Sequence, residues 1–243
     1  MENNQEYVEI KGIPFIKVSN QQLLDDHLYP ALKAKRKTFI VTANPEIVME
    51  AEDNNTYKQI IKQADYVVAD GIGVVIGSKL IGNPLPERIA GYDLMQQLLE
   101  RANQERLSCY FLGSNEVVLG KAVENIANIF PDLVVAGKHH GYFDLDDAAV
   151  ADAIERTQPD IIFVGLGFPN QEKWIHRYYS QFNHGLFMGV GGSLDGLAGY
   201  VKRAPKIWQK LNVEWLYRLI KQPSRWKRML QLPRFIWHIL WKK

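Results

Sequence analysis

Short, wholly apolar runs alternate with longer amphipathic stretches over the first two hundred residues. The apolar runs occupy residues 37–44, 66–70, 108–114, 133–139, 160–167 and 185–192. Each run is apolar at successive positions rather than at alternate ones, which is typical of parallel strands buried on both faces. The pattern therefore predicts six strands of one mostly parallel sheet.

The stretches between these runs have the apolar spacing of helices. Examples are residues 45–64, 91–106 and 115–130, and Asn115 stands where its side chain can cap the third of them. This alternation predicts an α/β fold, with a mostly parallel Rossmann-like sheet and helices on both of its faces. Residues 8–18, ahead of the first of these strands, fit a β-hairpin.

The pattern changes near residue 200. Residues 206–222 carry apolar side chains at every fourth position and predict an amphipathic helix, while Pro223 and Pro233 separate two further short segments. We therefore divide the chain into an α/β domain, residues 1–199, and a helical C-terminal appendage, residues 200–243.

Charge is distributed unevenly between these two parts. The appendage contains 12 Lys and Arg and a single acid, Glu214, for a net charge of +11, whereas residues 1–199 carry −9. Five of the six tryptophans also lie in the appendage. This composition suits an interfacial helix on an anionic membrane, a segment that binds nucleic acid, or a helix docked on the domain core. The aliphatic residues of the appendage favour the membrane over nucleic acid.

Other features point to a protein of the cytoplasm. Cys109 is the only cysteine, so no disulfide can form within the chain, and the polar N-terminus does not resemble a signal peptide. No apolar run approaches the roughly 18 residues of a membrane-spanning helix. An apolar appendage that docks on membranes also makes a homo-oligomer possible in solution.

Unusual loops follow the predicted strands, at the edge of the sheet where open α/β folds bind ligands. Glycines in such loops let backbone N–H groups approach a phosphate, although tight turns use the same residues. These loops do not match a Walker or dinucleotide fingerprint, so they indicate only a nucleotide or phosphate ligand. Their candidate ligand-binding residues are Thr42, Asn44, Gly113, Ser114, Gly165, Gly167, Gly191, Gly192 and Asp195.

Asp70 is the strongest candidate for chemistry, because it ends an apolar run and is followed by Gly71 and Gly73. It fits either a general base or the N-cap of the next helix. Arg88 fits either a phosphate clamp or a surface salt bridge.

Two groups of residues raise the question of a metal. Asp144, Asp146 and Asp147 could hold a divalent ion, but capping of the following helix is the favoured interpretation. His139 and His140 lack the spacing of a helical metal site, and we interpret them as loop residues. We therefore expect no metal site.

Eight motifs, in order, carry a resemblance to a known family. They are TANPEIV, ADGIGVV, ERIAGYDL, FLGS, GLGFPNQEKWI, GVGGSLDGLAG, VKRAP and EWLYRLIKQPSRWKRM, and the similarity covers about residues 8–235. Together they resemble the WecG/TagA/CpsF family of bacterial glycosyltransferases, and the appendage is most similar to the branch that acts in wall teichoic acid synthesis. The resemblance implies transfer of N-acetylmannosamine from its UDP donor to the 4-hydroxyl of N-acetylglucosamine on undecaprenyl diphosphate, forming a β-linked disaccharide.

The resemblance also implies roles for single residues. Asp70 matches the proposed catalytic base, and Thr42 and Asn44 match residues that line the pocket. Arg88 and Gln171 match further motif positions. Three arginines of the appendage match residues thought to complete the site: Arg218, Arg225 and Arg228.

From the resemblance we expect an inverting transferase that needs no metal and no cofactor. Its partners would be UDP-N-acetylmannosamine, a lipid-linked acceptor and the anionic inner face of the cell membrane, and nucleic acid would not be one. The alternatives are a relative that uses another UDP-sugar, such as N-acetylmannosaminuronic acid or glucose, and a peripheral membrane scaffold that binds nucleotides.

Overall fold

The structure, a computed structural model, describes residues 6–201, 203–210, 214–221, 226 and 230–241. It begins with an antiparallel hairpin of β1 (Tyr7–Ile10) and β2 (Ile13–Ile16). Lys11 and Gly12 form its turn with φ values of 53° and 76°, the left-handed conformations that tight hairpin turns favour. The predicted hairpin is confirmed.

The predicted parallel sheet is also confirmed. Its strands are β3 (Thr38–Ala43), β4 (Tyr66–Ala69), β5 (Ser108–Gly113), β6 (Val134–His139), β7 (Ile161–Gly165) and β8 (Leu186–Gly189). The strand order is β4-β3-β8-β7-β5-β6, and every neighbouring pair is parallel. From β3 the chain runs outward to β4 at one edge of the sheet, whereas β8, the other neighbour of β3, is reached from β7 on the opposite side. This reversal of direction creates a crevice at the carboxyl ends of β3 and β8.

Helices cover both faces of the sheet. They are α1 (Asn20–Gln22), a π-helical segment (Leu23–Leu28), α2 (Tyr29–Lys33), α3 (Pro45–Asp53), α4 (Asn55–Lys62), α5 (Ile72–Leu80), α6 (Gly91–Glu105), α7 (Glu116–Ile129), α8 (Ala149–Thr157), α9 (Asn170–Tyr178), a 3-10 turn (Tyr179–Gln181), α10 (Ser193–Leu197), α11 (Lys206–Lys210), α12 (Glu214–Lys221) and α13 (Gln231–Trp241). The single helix expected over residues 45–64 is two helices, because Asn54 leaves the helical conformation and its side chain caps α4 at Tyr57 N, 3.1 Å away.

The apolar character of the strands follows from this arrangement. In β3, Phe39 and Val41 join the hydrophobic core on one face of the sheet, and Ile40 joins the core on the other. In β7, Ile162 and Phe163 divide in the same way. Both faces of each central strand are therefore buried, which is why polar residues do not alternate with apolar ones.

The last helix of the appendage docks on the core. Phe235 is fully buried, and a Cβ added to Gly77 of α5 would lie 2.8 Å from its ring. Pro233 lies inside the first turn of α13, where a missing N–H is tolerated, so the prediction that it separates segments was wrong. Of the helix predicted over residues 206–222, positions 206–210 and 214–221 are helical, and the remaining positions lie outside the described residues.

Candidate active site

A cavity of about 770 Å³ lies in the crevice at the carboxyl ends of β3, β4, β7 and β8. A volume of this size suits a ligand such as a nucleotide sugar. Most of the loop residues expected to bind ligand line it, namely Thr42, Asn44, Asp70, Arg88, Gly165, Gly167, Gln171, Gly191, Gly192 and Asp195. The fold therefore brings together residues as far apart in the chain as Thr42 and Asp195.

Asp70 follows β4 directly, and its backbone N–H donates to Ala43 O at 3.0 Å. Its carboxylate oxygen Oδ1 accepts a hydrogen bond from the N–H of Gly91, 3.1 Å away, at the start of α6. The N-terminus of a helix favours a negative charge, so this contact both orients and stabilises the carboxylate. The N-cap of α5 is Gly71 rather than Asp70, and the capping alternative for Asp70 was therefore wrong.

Arg88 lies beside this carboxylate. Its Nη2 is 3.6 Å from Asp70 Oδ1, and its Nε donates to the backbone oxygen of Asp70. The side chain is 20% exposed and faces the cavity, so the alternative of a surface salt bridge does not describe it. The same Nη2 is 3.9 Å from Oε2 of Glu214, in the appendage. The arrangement places an acid and a fixed cation side by side in the cavity.

Thr42 and Asn44 stand at the end of β3. The Thr42 hydroxyl donates to Gly189 O at 3.5 Å, and a Cβ on Gly91 would lie 3.0 Å from its Oγ1. Asn44 is the N-cap of α3, since its Oδ1 accepts from Ile47 N at 3.0 Å. That bond uses the side-chain oxygen, and the amide nitrogen is a hydrogen-bond donor at the cavity wall.

Gln171 belongs to a buried chain of hydrogen bonds that reaches the loop after β8. Its Oε1 accepts from Gly191 N at 2.9 Å, and its Nε2 donates to Glu172 Oε1 at 2.7 Å. Tyr57 OH donates to the other oxygen of Glu172 at 3.1 Å. Glu172 is 1% exposed, and burial raises the pKa of its carboxyl, although the hydrogen bonds from Gln171 and Tyr57 act in the opposite direction.

The sequence did not predict that Glu172 is buried and hydrogen-bonded to Gln171 and Tyr57. Its signal was faint, a carboxylate in the first turn of a helix directly after a motif glutamine, where a solvent-exposed acid would be expected. Only the packing of α4 against α9 brings Tyr57 to it. The chain from Tyr57 through Glu172 and Gln171 holds the backbone of Gly191 at the cavity wall, where its N–H donates to Gln171.

The loop after β5 lies apart from this cavity. Gly113 and Ser114 are not among its lining residues, in contrast to the other glycine loops. A Cβ on Gly113 would lie 2.3 Å from the backbone oxygen of Gly165, and its φ is 131°. Gly113 thus allows close approach to the loop after β7, which does line the cavity. Because Gly113 and Ser114 do not line the cavity, their binding of the nucleotide stays a prediction.

The glycines after Asp70 serve helix packing. A Cβ on Gly71 would lie 2.6 Å from Pro45 Cδ, and one on Gly73 would lie 2.4 Å from Leu232 of α13. Gly73 and Gly77 are one helical turn apart, and both face α13. The appendage therefore contacts the helix that begins at the candidate site.

The appendage also contributes to the cavity wall. Its lining residues are Val201, Arg203, Glu214, Trp215, Gln231 and Leu232. Arg225 and Arg228 lie outside the described residues, and for Arg218, which lies in α12, only the backbone is described. Their expected part in completing the site stays a prediction.

Arg203 connects the appendage to the core. Its guanidinium pairs with both oxygens of Asp93, the second contact being 3.3 Å, and stacks on Tyr92 at 4.7 Å. Its Nη2 is 3.7 Å from Glu214 Oε2. Burial lowers the pKa of this guanidinium, but Asp93 and Glu214 more than offset the effect, so its pKa lies above the ordinary value. Arg203 is therefore a permanent cation at the cavity.

The metal candidates take other roles, and His139 ends strand β6, so its interpretation as a loop residue was wrong. Asp144 Oδ1 accepts from Asp146 N at 3.0 Å, and Asp146 pairs with Arg177. Asp147 accepts from Ala149 N at 2.9 Å, while the N-cap of α8 is Ala148, so capping by Asp144 and Asp146 was wrong. Within the described parts of the chain, groups of three or more metal-binding side chains do not occur. The expectation of a metal-independent reaction stays a prediction.

None of the helices in the part of the chain that the structure describes combines the length and apolarity needed to cross a membrane. Six of the exposed large apolar side chains lie on or beside two packed helices. They are Ile76 and Leu80 of α5, Ile81 next to it, and Trp237, Leu240 and Trp241 of α13.

Comparison with known proteins gives matches over most of the chain. The family model of the glycosyl transferase WecG/TagA/CpsF family matches residues 8–243. An N-acetylglucosaminyldiphosphoundecaprenol N-acetyl-beta-D-mannosaminyltransferase of Bacillus spizizenii is 44% identical over 209 residues, which cover 86% of this chain and 81% of that protein. A protein with the same name from Staphylococcus aureus strain MW2 is 40% identical over 238 residues, covering 98% of this chain and 93% of the relative.

Proposed function

Because the chain belongs to the WecG/TagA/CpsF family and is a glycosyltransferase, we propose that it transfers N-acetylmannosamine from UDP-N-acetylmannosamine to N-acetylglucosaminyl diphosphoundecaprenol. The names of both relatives state this acceptor and this transferred sugar. The product would be the β-linked disaccharide on which wall teichoic acid is built.

One observation supports the mechanism above the others. The Asp70 carboxylate and the Arg88 guanidinium lie 3.6 Å apart in a cavity large enough for a nucleotide sugar. In the proposed reaction, Asp70 takes the proton from the 4-hydroxyl of the acceptor. The freed oxygen attacks the anomeric carbon, the bond from that carbon to the diphosphate breaks, and UDP leaves with the bonding electron pair. Attack opposite the leaving group inverts the anomeric carbon.

The charge that develops on the diphosphate needs stabilisation. Arg88, Arg203 and the glycine loops after β7 and β8 line the cavity, and backbone N–H groups of those loops would approach the diphosphate. Donors of both kinds, held in place before reaction, stabilise a developing oxyanion strongly in a partly dry site. We propose that they do so here without a divalent cation.

The acceptor is a membrane lipid, so the enzyme must reach the bilayer. The exposed apolar residues of α5 and α13 would enter the interface, and the basic appendage would bind the anionic leaflet, where each Lys or Arg adds roughly 1 kcal/mol. Aliphatic Ile76, Leu80 and Leu240 support lipid rather than nucleic acid as the partner. We therefore propose that the protein is peripheral on the inner face of the membrane.

A transfer assay tests the proposed function. The full chain is incubated with one lipid-diphosphate N-acetylglucosamine acceptor and, separately, UDP-N-acetylmannosamine, its uronic acid analogue and UDP-glucose. We expect disaccharide formation and UDP release with UDP-N-acetylmannosamine at a rate well above the other two donors. Preference for another donor identifies the rival transferase activity, and binding of UDP without transfer from any of the three donors identifies the scaffold.

A further inference from the structure

Five charged side chains form a series of alternating sign that starts in the core, passes through the appendage and ends in the core. Their order is Asp70, Arg88, Glu214, Arg203 and Asp93. The guanidinium of Arg88 lies 3.6 Å from Asp70 and 3.9 Å from Glu214, and that of Arg203 lies 3.7 Å from Glu214 while pairing with Asp93. Because Asp70 accepts from Gly91 at the start of α6 and Asp93 lies in the same turn, the chain of charges closes on one helix end.

Glu214 occupies the middle of this chain. It is the only acid among residues 200–243, and its side chain is 6% exposed. A carboxylate removed from water is costly unless cations surround it, and among the described residues Glu214 faces one guanidinium from the core and one from the appendage. Its burial is therefore tied to docking of the appendage at the cavity.

The position of Arg88 depends on two carboxylates that pull on the same nitrogen, Nη2. Asp70 lies on one side of it and Glu214 on the other. Without the charge of Glu214, Arg88 would act on Asp70 alone and would stabilise its ionised form more strongly. Among the described residues, the charged side chains that line the cavity with Asp70 are Glu46, Arg88, Asp195, Arg203 and Glu214.

We propose that Glu214 is a positioning residue for sugar transfer. Its carboxylate holds Arg88 and Arg203 at the cavity and so couples docking of the appendage to the ionisation of Asp70. This inference rests on the proposed transferase function, in which Asp70 is the base. It gives the one acid of a strongly basic segment a specific task inside the active site.

Glu214→Gln in the full chain tests the proposal, because glutamine keeps the shape of the side chain and removes its charge. With UDP-N-acetylmannosamine and the lipid acceptor, we expect kcat/KM to fall by about tenfold to a hundredfold. We also expect the acid limb of the pH–rate profile to move to lower pH. Glu214→Asp, which keeps the charge, should restore the wild-type position of that limb.

The matched control is Asp53→Asn. Asp53 pairs with Arg234 of α13 at 2.8 Å, so this variant also removes an ion pair between the core and the appendage, but outside the cavity. It should keep the wild-type pH profile. A wild-type kcat/KM and profile in Glu214→Gln would overturn the proposal, and so would a loss of activity with an unmoved acid limb, which indicates a structural role only.

Failure of the proposed function is seen separately, as wild-type protein that does not transfer the sugar. In that case two other measurements test whether Glu214 holds the appendage at the cavity: the rate of tryptic cleavage in the appendage and the affinity for UDP. Glu214→Gln should be cleaved in the appendage several-fold faster than Asp53→Asn, and its affinity for UDP should change. Cleavage and affinity equal to those of the wild type would overturn the role of Glu214 whatever the donor sugar is.

Discussion

Replacing Phe235 by alanine should release helix α13 from the α/β core. The phenyl ring is fully buried and lies against Gly77, with Ile239 beside it on the same face of the helix. Removing a buried phenylalanine side chain costs about 3–5 kcal/mol. If that loss falls on docking of the helix, the undocked fraction should rise by roughly 100-fold or more.

The ion pair next to this ring is expected to matter far less. Arg234 and Asp53 are 40% and 51% exposed, and exposed pairs contribute about 0.2–1 kcal/mol. Asp53→Asn should therefore raise the undocked fraction no more than about fivefold. The comparison separates burial from charge as the cause of docking.

Amide hydrogen exchange followed by mass spectrometry measures the effect. Peptides covering residues 231–241 should exchange at least tenfold faster in Phe235→Ala than in Asp53→Asn, while peptides of β3 and β7 keep their protection. Equal protection of α13 in Phe235→Ala and wild type would refute the packing argument. Greater loss in Asp53→Asn would show that charge holds the helix.

Burial raises the pKa of the Glu172 carboxyl above its unfolded value of about 4.3. The free energy of unfolding of the wild type should therefore fall, relative to that of Glu172→Gln, as pH rises above about 4.5. Parallel plots of the unfolding free energy against pH, measured with urea between about pH 4.5 and 8, would contradict this. Because guanidinium and N–H groups are proposed to balance the diphosphate, EDTA should lower the transfer rate by less than about twofold, and a large loss restored by Mg²⁺ would show a metal requirement. Replacing Trp237 and Trp241 together by alanine should weaken binding to anionic vesicles, measured by sedimentation, by about tenfold. Tyr142→Ala, which removes an exposed ring elsewhere, should not weaken it. Equal binding by the wild type and both variants would exclude α13 from the membrane contact.

The fold and much of the site could be predicted because they depend on local patterns and one rule of topology. Strands such as 161–165 are apolar throughout since both faces of the sheet are covered. The carboxyl ends of parallel strands meet at one edge, so residues after them, such as Thr42 and Asp70, were expected to lie together. The residues beside them in the cavity follow β8 and β7, because β8 lies next to β3 in the sheet and β7 lies next to β8.

Contacts between distant parts of the chain could not be predicted in this way. Gly73 was noted only for its place after Asp70, but the missing side chains of Gly73 and Gly77 make room for Leu232 and Phe235, more than 150 residues later. Glu214 was noted only as a lone acid, and its partners depend on where the appendage docks. A sequence pattern records which residues are small or charged, and it does not record what will approach them.

The initial rate of sugar transfer by Asp70→Asn tests the central claim most directly. Asparagine keeps the size of the side chain but cannot take a proton, so the rate with UDP-N-acetylmannosamine and the lipid acceptor should fall by about 10²- to 10⁴-fold, while UDP affinity measured by calorimetry stays within a few-fold of wild type. A variant that transfers sugar at close to the wild-type rate would contradict the assignment of Asp70 as the base.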